Sequence, residues 1–341
     1  MSFFNRQEKS PLITGIRPTG IPHIGNYVGA LKPLIERQMQ GEYACTAFIA
    51  DLHAATDITA RTSIKEDSIE VARFLLACGF DPQNGSVYRQ SDVGKITAIS
   101  NSLSNITSVG KLQTCTTFKD KSSNLKKGKI LSAGLLNYPV LMCSDILMNA
   151  DERLSDTIVV PVGEDQIQHL ELASGIVKRV NTMFDLDFPK IELPAGHNPV
   201  RLPSLNGTGK MGKSEGNTIT LIDSDEDIRA KIMAAVTDGA GPNDTMSESL
   251  ENLFYFGQQF LSEKIHAEHL MNYSKGERKY HDIKVSIANA VIDTISPIRE
   301  RYYTNKDCST EAATDLLNAN AGVANVMADR CYDKLRNAMN F

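Results

Sequence analysis

A chain of 341 residues can bury a large core and is a little long for one domain, so one large unit and one smaller unit are expected. Hydrophobic content of 41% and charged content of 23% are ordinary for a globular protein. No apolar run approaches the ~20 residues needed to span a bilayer. A net charge of −5 argues against indiscriminate nucleic-acid binding, so any RNA contact must come from local basic surface. The opening MSFFNRQEKS lacks the apolar core of a secretion signal, which gives a cytoplasmic location as the expectation. Six cysteines (Cys45, Cys78, Cys115, Cys143, Cys308, Cys331) include no C-x-x-C pair and read as buried free thiols rather than a disulfide framework or zinc site.

Pro11 to Ile16 reads as a strand, the loop with Pro18, Gly20 and Pro22 as a tight turn, and His23-Ile24-Gly25-Asn26 as the opening of a helix. A helix start offers free N–H groups and a positive dipole end to phosphate, although an ordinary strand-to-helix turn has the same outline. Gly25 would let a flat ring approach the backbone, and His23 can donate to a phosphate oxygen. The helix continues to Gln40, with Val28, Leu31 and Leu34 or Ile35 on one face and a kink expected at Pro33. Tyr43 to Ala50 is a second strand, ending at Asp51-Leu52-His53. Asp51 and His53 are site candidates because open α/β sheets bind ligands at strand C-termini, with helix capping as the alternative.

Ser63-Ile64-Lys65-Glu66 predicts a capping box, and its helix should run through Val71, Leu75 and Leu76 to Gly79. Ser86 to Gln90 follows as a third strand, and strand, helix, strand with short links predicts parallel, doubly wound pairing. The lysine-rich stretch from Lys111 to Lys129 reads as a solvated mobile loop. Gly134 to Asn149 is helix-like, with Asp145 lodged among Leu136, Val140, Met142 and Ile146, where a carboxylate is costly to bury without a donor. Ile158 to Val162 is strand-like and runs into Gly163-Glu164-Asp165-Gln166. His169, one helical turn beyond Gln166, reads as structural. Gly207 to Asn217, with four glycines, reads as a mobile loop that closes to work. Beyond Asp223 the pattern is almost wholly helical.

HIGN at 23 to 26 and KMGKS at 210 to 214 resemble the paired signatures of the class I aminoacyl-tRNA synthetases, H-I-G-H and K-M-S-K-S. TGIRPTG at 14 to 20, YPVLMCSDIL at 138 to 147 and GEDQIQHLELA at 163 to 173 resemble its tryptophanyl branch. The resemblance covers nearly the whole chain from Pro11. It implies an α/β fold, with a Rossmann-type doubly wound parallel sheet over 1–205, a helical anticodon-binding-like domain over 206–305, and C-terminal helices over 306–341 packing back on the first. It also implies ATP and L-tryptophan as substrates, Mg²⁺, tRNA(Trp) as partner, no membrane, and a homodimer.

Site roles carried over from the family fall on matching positions. Lys119, in a segment matching T-Q-F-K-x-K-S apart from its glutamine, would reach the ATP phosphates with Lys210, Lys213 and Ser214. The neighbouring lysines could face the acceptor end of the RNA. Arg17, Pro18, Thr19, His23, Gly25, Asn26, Gly163, Glu164, Asp165, Leu202, Met211 and Gly212 would complete the ATP site. Asp165 suits ribose hydroxyls. Indole offers one N–H and no acceptor, so Asp145 at the floor of an apolar pocket would read it, with Met142, Tyr138, His53 and Gln166 around the amino acid. No metal-ligating protein cluster is expected. Two positions depart from the family pattern: Arg17 stands where one branch has glutamine, and Gly212 where serine is usual. The rival readings are a tyrosyl-type synthetase, a small-molecule nucleotidyltransferase and a catalytically inactive tryptophan sensor.

Overall fold

The computed structural model describes residues 9–56, 63–123, 131–150, 155–207, 209, 211–212, 217–237 and 245–340. Strands β1 (Ser10–Ile16), β2 (Tyr43–Ile49), β3 (Gly85–Arg89), β4 (Thr157–Val159) and β5 (Lys190–Glu192) form one parallel sheet in the order β3-β2-β1-β4-β5. This is the expected doubly wound arrangement. The crossover from β1 to β2 holds α1 (Ile24–Asn26) and α2 (Lys32–Gln40), and that from β2 to β3 holds α3 (Asp51–Ala55) and α4 (Ile64–Ala77). Between β3 and β4 lie α5 (Ile96–Ser104), α6 (Val109–Gln113), α7 (Thr116–Ser123) and α8 (Ala133–Met148), and α9 (Ile167–Phe184) links β4 to β5. The remaining helices are α10 (Asp225–Met233), α11 (Glu248–Gln258), α12 (Glu263–Ser274), α13 (Tyr280–Thr304) and α14 (Thr310–Met339).

Side chains alternate along each strand, and both faces of the sheet are covered, so the strands are apolar nearly throughout. Leu12, Cys45, Ala47, Val87 and Val159 point into one apolar cluster, and Ile13, Phe48, Tyr88 and Ile158 into the other. The first cluster continues through Leu202, Leu205, Met211 and Leu221 to Ile228, Phe256, Ile287 and Ile295, so α10, α11 and α13 share a core with that face of the sheet. Helix α14 enters both clusters, with Leu317 in the first and Ala328, Cys331 and Leu335 in the second. Its asparagines fix it to the sheet end: Asn320 Nδ2 donates to the Val87 carbonyl (3.1 Å) and Asn325 Nδ2 to that of Asp92 (2.8 Å).

Several local expectations are revised. The first helical run contains a π-helical turn at Tyr27–Leu31, and Pro33 falls in the first turn of α2 directly after it. The box at Ser63 does not form, because its hydroxyl donates to Asp67 Oδ2 (3.2 Å) and caps no backbone N–H. The stretch after Lys111 is helical as α6 and α7 rather than a loop, with 124–130 outside the described residues. Strand β5 is short, with its outer residues exposed, and carries too little apolar pattern to be seen in sequence. All six cysteines are buried and outside any disulfide. Among the described residues no helix is long and apolar enough to cross a membrane.

Candidate active site

In this strand order the chain reverses direction of travel between β1 and β4, and the crevice beyond the strand C-termini at that point is where doubly wound sheets take ligands. A cleft of about 580 Å³ lies there. Its walls come from the end of β1 with Arg17 after it (Thr14 to Arg17), the loop and first turn with Thr19, His23 and Asn26, and, after β4, Val160 to Gly163 with Asp165 and Gln166. Gly15 lies at the floor with the Phe48 ring over it. A Cβ there would stand 2.6 Å from Phe48 Cζ, so Gly15→Ala should cost about 1–3 kcal/mol by overpacking and push the ring into the cleft. Urea denaturation checks this, and an unchanged midpoint would remove the steric argument.

One end of the cleft is apolar, formed by Ile13, Phe48, Met142, Ile146 and Val160 together with Tyr138 and His53. The Tyr138 ring lies between two imidazoles, 4.1 Å from His53 and 5.3 Å from His169 centroid to centroid. Asp145 was expected as the floor of this end, but it is fully buried one layer behind, outside the lining. Its Oδ2 takes His53 Nε2 at 2.9 Å, and both its oxygens accept from Gln90 Nε2 (2.8 and 2.9 Å). Tyr138, Met142 and Ile146 on α8 face the cleft, and Asp145, on the same helix, is turned toward α3. Burial pushes the Asp145 carboxyl up from its ordinary range, and the bonds from His53 and Gln90 pull it back down. His53 Nδ1 and the Thr14 hydroxyl are buried without a hydrogen-bond partner among the described residues. Asp51 serves the alternative role, its Oδ1 accepting from the Leu52 and Ser91 N–H groups at 2.9 Å each.

Toward the open side, His23 caps α1. Its Nδ1 accepts from the Gly25 N–H (3.1 Å), and Asn26 Oδ1 accepts from the His23 N–H (3.0 Å). With Nδ1 accepting, Nε2 carries the proton of the neutral ring and is a donor. Gly25 does not line the cleft, and the space a Cβ would need is taken by the His23 ring at 2.9 Å. The glycine therefore makes room for the imidazole, which corrects the expectation of a flat ligand ring against it.

After β4, Gly163, Asp165 and Gln166 line the cleft. Gln166 Nε2 donates to Asp165 Oδ2 (3.0 Å) and its Oε1 accepts from His169 Nδ1 (2.9 Å). Burial lowers the His169 pKa and so favours the neutral imidazole, and the contact of its Nδ1 with Oε1 holds the glutamine side chain in place. Glu164 is exposed and Pro18 is buried, and neither lines the cleft.

Leu202 and Met211 are buried in the first apolar cluster and paired through the Met211 N–H and Leu202 carbonyl (3.0 Å), away from the cleft surface. Gly212 follows, its carbonyl accepting from the Thr218 hydroxyl. Lys210, Lys213 and Ser214 lie outside the described residues. Lys119 is exposed on α7 and does not line the cleft. Its helix is tied to α9 by the Thr116 N–H, which donates to Gln168 Oε1 (2.8 Å).

The structure adds His197, Asn198, Pro199 and Val200 to the cleft wall, with His197 Nε2 donating to the Val162 carbonyl (2.7 Å). These residues follow β5, whose short exposed pattern hid both the strand and the wall it carries.

The family profile described as tRNA synthetases class I (W and Y) matches residues 5–295. Tryptophan–tRNA ligase of Porphyromonas gingivalis is 37% identical over 294 residues, 85% of this chain and 87% of that protein. The enzyme of the same name from Helicobacter pylori is 35% identical over 337 residues, 97% and 98% of the two chains. The crystal structure of tryptophanyl-tRNA synthetase from Campylobacter jejuni complexed with ADP and tryptophan superposes with a TM-score of 0.77 at 31% identity, covering 97% of this chain and all of that one.

Proposed function

The chain belongs to the class I tRNA synthetases of the tryptophan and tyrosine group, and from that membership we infer that its cleft carries out the tryptophan–tRNA ligase reaction. The tryptophan carboxylate attacks the α-phosphorus of ATP, the bond from that phosphorus to the β-phosphate bridge breaks, and pyrophosphate leaves with tryptophanyl-adenylate remaining. A hydroxyl of the terminal tRNA ribose then attacks the activated carbonyl, and AMP leaves. No side chain forms a covalent bond, so the protein contributes positioning and charge stabilisation.

The observation that carries the amino-acid assignment is the apolar end of the cleft, with the His53 and Asp145 pair as its buried polar reader. Asp145 takes the indole N–H beside His53, with Tyr138 and Met142 along the ring. Gln166, held by His169, presents its amide to the α-amino and carboxylate groups. His23, Asn26, Arg17 and Thr19 hold the triphosphate side, and Gly163 with Asp165 the ribose. Lys119, Lys210 and Lys213 neutralise the departing pyrophosphate on loop closure, with the Ser214 hydroxyl as a hydrogen-bond donor beside them. Among the described residues no group of three His, Cys, Asp or Glu is placed to hold an ion. Mg²⁺ would enter with ATP, carried on its phosphates as part of the substrate. The assignment extends to a homodimer, to a helical segment 206–305 that meets tRNA(Trp) at its anticodon, and to the cytoplasm, where charging takes place.

The chain contains no tryptophan, against ten tyrosines and twelve phenylalanines, so indole emission excited at the red edge comes from ligand alone. Added L-tryptophan should bind saturably below about 1 mM, with blue-shifted emission from a water-poor pocket, and excess tyrosine should not displace it. Equal competition by tyrosine would move the assignment to the tyrosyl branch. Equilibrium dialysis provides the independent check.

A further inference from the structure

We infer that Gln90, which lies outside the cleft lining, is the positioning residue that holds the Asp145 carboxylate in its acceptor form for the indole N–H. This rests on the reading of Asp145 given above. Gln90 is fully buried at the end of β3. Its amide has one permitted orientation, because Oε1 accepts from the N–H groups of Leu52 (3.1 Å) and His53 (3.4 Å) at the start of α3. Nε2 must then face Asp145, and it donates to Oδ1 at 2.8 Å and Oδ2 at 2.9 Å.

The two partners of Asp145 differ chemically. An imidazole can donate from Nε2 in one tautomer and accept there in the other, so His53 can serve either a carboxylate or a carboxylic acid. An amide NH₂ can only donate. A protonated Asp145 keeps only one oxygen free of a proton for this donor and must turn its hydroxyl to His53, so Gln90, which reaches both oxygens, favours the ionised form.

The other groups that bear on this carboxylate are few. Asp51 and His53 face it from α3, Tyr88 from β3, and Tyr138 and Cys143 share its helix. Lys111 of α6, His169 of α9 and Cys331 of α14 sit on helices packed against α8, while α5 brings no ionisable side chain. Burial raises the Asp145 pKa, and the bonds from His53 and Gln90 oppose that rise. Tryptophan affinity therefore has its full value above this pKa and is lost as pH falls through it. Removing the Gln90 donors moves that loss to higher pH.

The test measures dissociation constants for tryptophan and, in parallel, for Mg·ATP by equilibrium dialysis from about pH 5 to about pH 8. The proteins are wild type, Gln90→Glu, Gln90→Leu and Asp145→Asn. Gln90→Glu keeps the acceptor that the α3 N–H groups need and replaces the donor by a second carboxyl. The pH at which tryptophan affinity falls should rise by about one unit or more in both Gln90 variants, as for a carboxylate that gains a like neighbour or loses its donors, with Mg·ATP affinity unchanged. Wild-type midpoints in both variants, or a parallel loss of Mg·ATP binding in both, would overturn the inference. Wild-type tryptophan affinity in Asp145→Asn would instead overturn the reading of Asp145 on which it rests.

Discussion

Replacing Asp145 by alanine will lower kcat/KM for tryptophan by about 10²-fold or more, while the KM for ATP changes little. The indole N–H, desolvated at the apolar end of the cleft, loses its acceptor, and an unsatisfied buried donor costs about 1–3 kcal/mol, more where the lost partner was charged. The same change strands His53 Nε2 and the Gln90 amide, which both donate to this carboxylate. Part of the loss will therefore show as reduced stability. An analogue carrying sulfur in place of the ring N–H separates the two contributions. Wild type should discriminate strongly against it, and Asp145→Ala should treat the analogue and tryptophan nearly alike. Equal binding of both by wild type would remove Asp145 as the reader.

Lys213→Ala will slow adenylate formation by about 10²–10³-fold, about 2.7–4 kcal/mol of barrier, the size of losing one preorganised charge-stabilising group. Tryptophan binding should stay nearly intact if, as proposed, the lysine acts where pyrophosphate departs. The anchored flanks of its loop make the substitution clean. On one side Met211 is tied to Leu202, and on the other Lys231 Nζ donates to the Thr218 carbonyl (2.8 Å). The Ile24 N–H then reaches the Ile219 carbonyl (2.9 Å) and the Leu221 N–H the Pro22 carbonyl (3.1 Å), which ties the far flank to the His23 turn. Losing one charge between two fixed ends should leave the fold unchanged. Single-turnover measurement of pyrophosphate release decides the matter, and a wild-type rate would exclude Lys213 from the chemistry.

Continuity along the chain was legible without coordinates. A buried parallel strand is a short apolar run bounded by turn residues, so β1, β2 and β3 stood out, as did α4 and α8 by their spacing. The His23 turn and the glycine-rich stretch were visible as motifs because small residues and cations in sequence order can be read without knowing any packing partner. The Asp145 position was visible for a related reason: a carboxylate inside an apolar run needs a donor, wherever that donor comes from.

Where that donor comes from is a question of distance in space. Gln90 is 55 residues from Asp145, and His53 is 92 residues away. Only the parallel pairing of β2 with β3, and the packing of α8 beside them, brings the three together behind the cleft. The fifth strand and the wall from His197 to Val200 were equally hidden. Three residues with an exposed edge carry no periodicity, and β5 forms because β4 offers it a parallel partner. The role of Gly25 changed for the same reason. Sequence gives a glycine its freedom, but the His23 ring standing 2.9 Å from its missing Cβ decides what that freedom accommodates. Local chemistry thus determined which residues could act, and tertiary packing determined which of them face the cleft and which stand behind to hold the others in place.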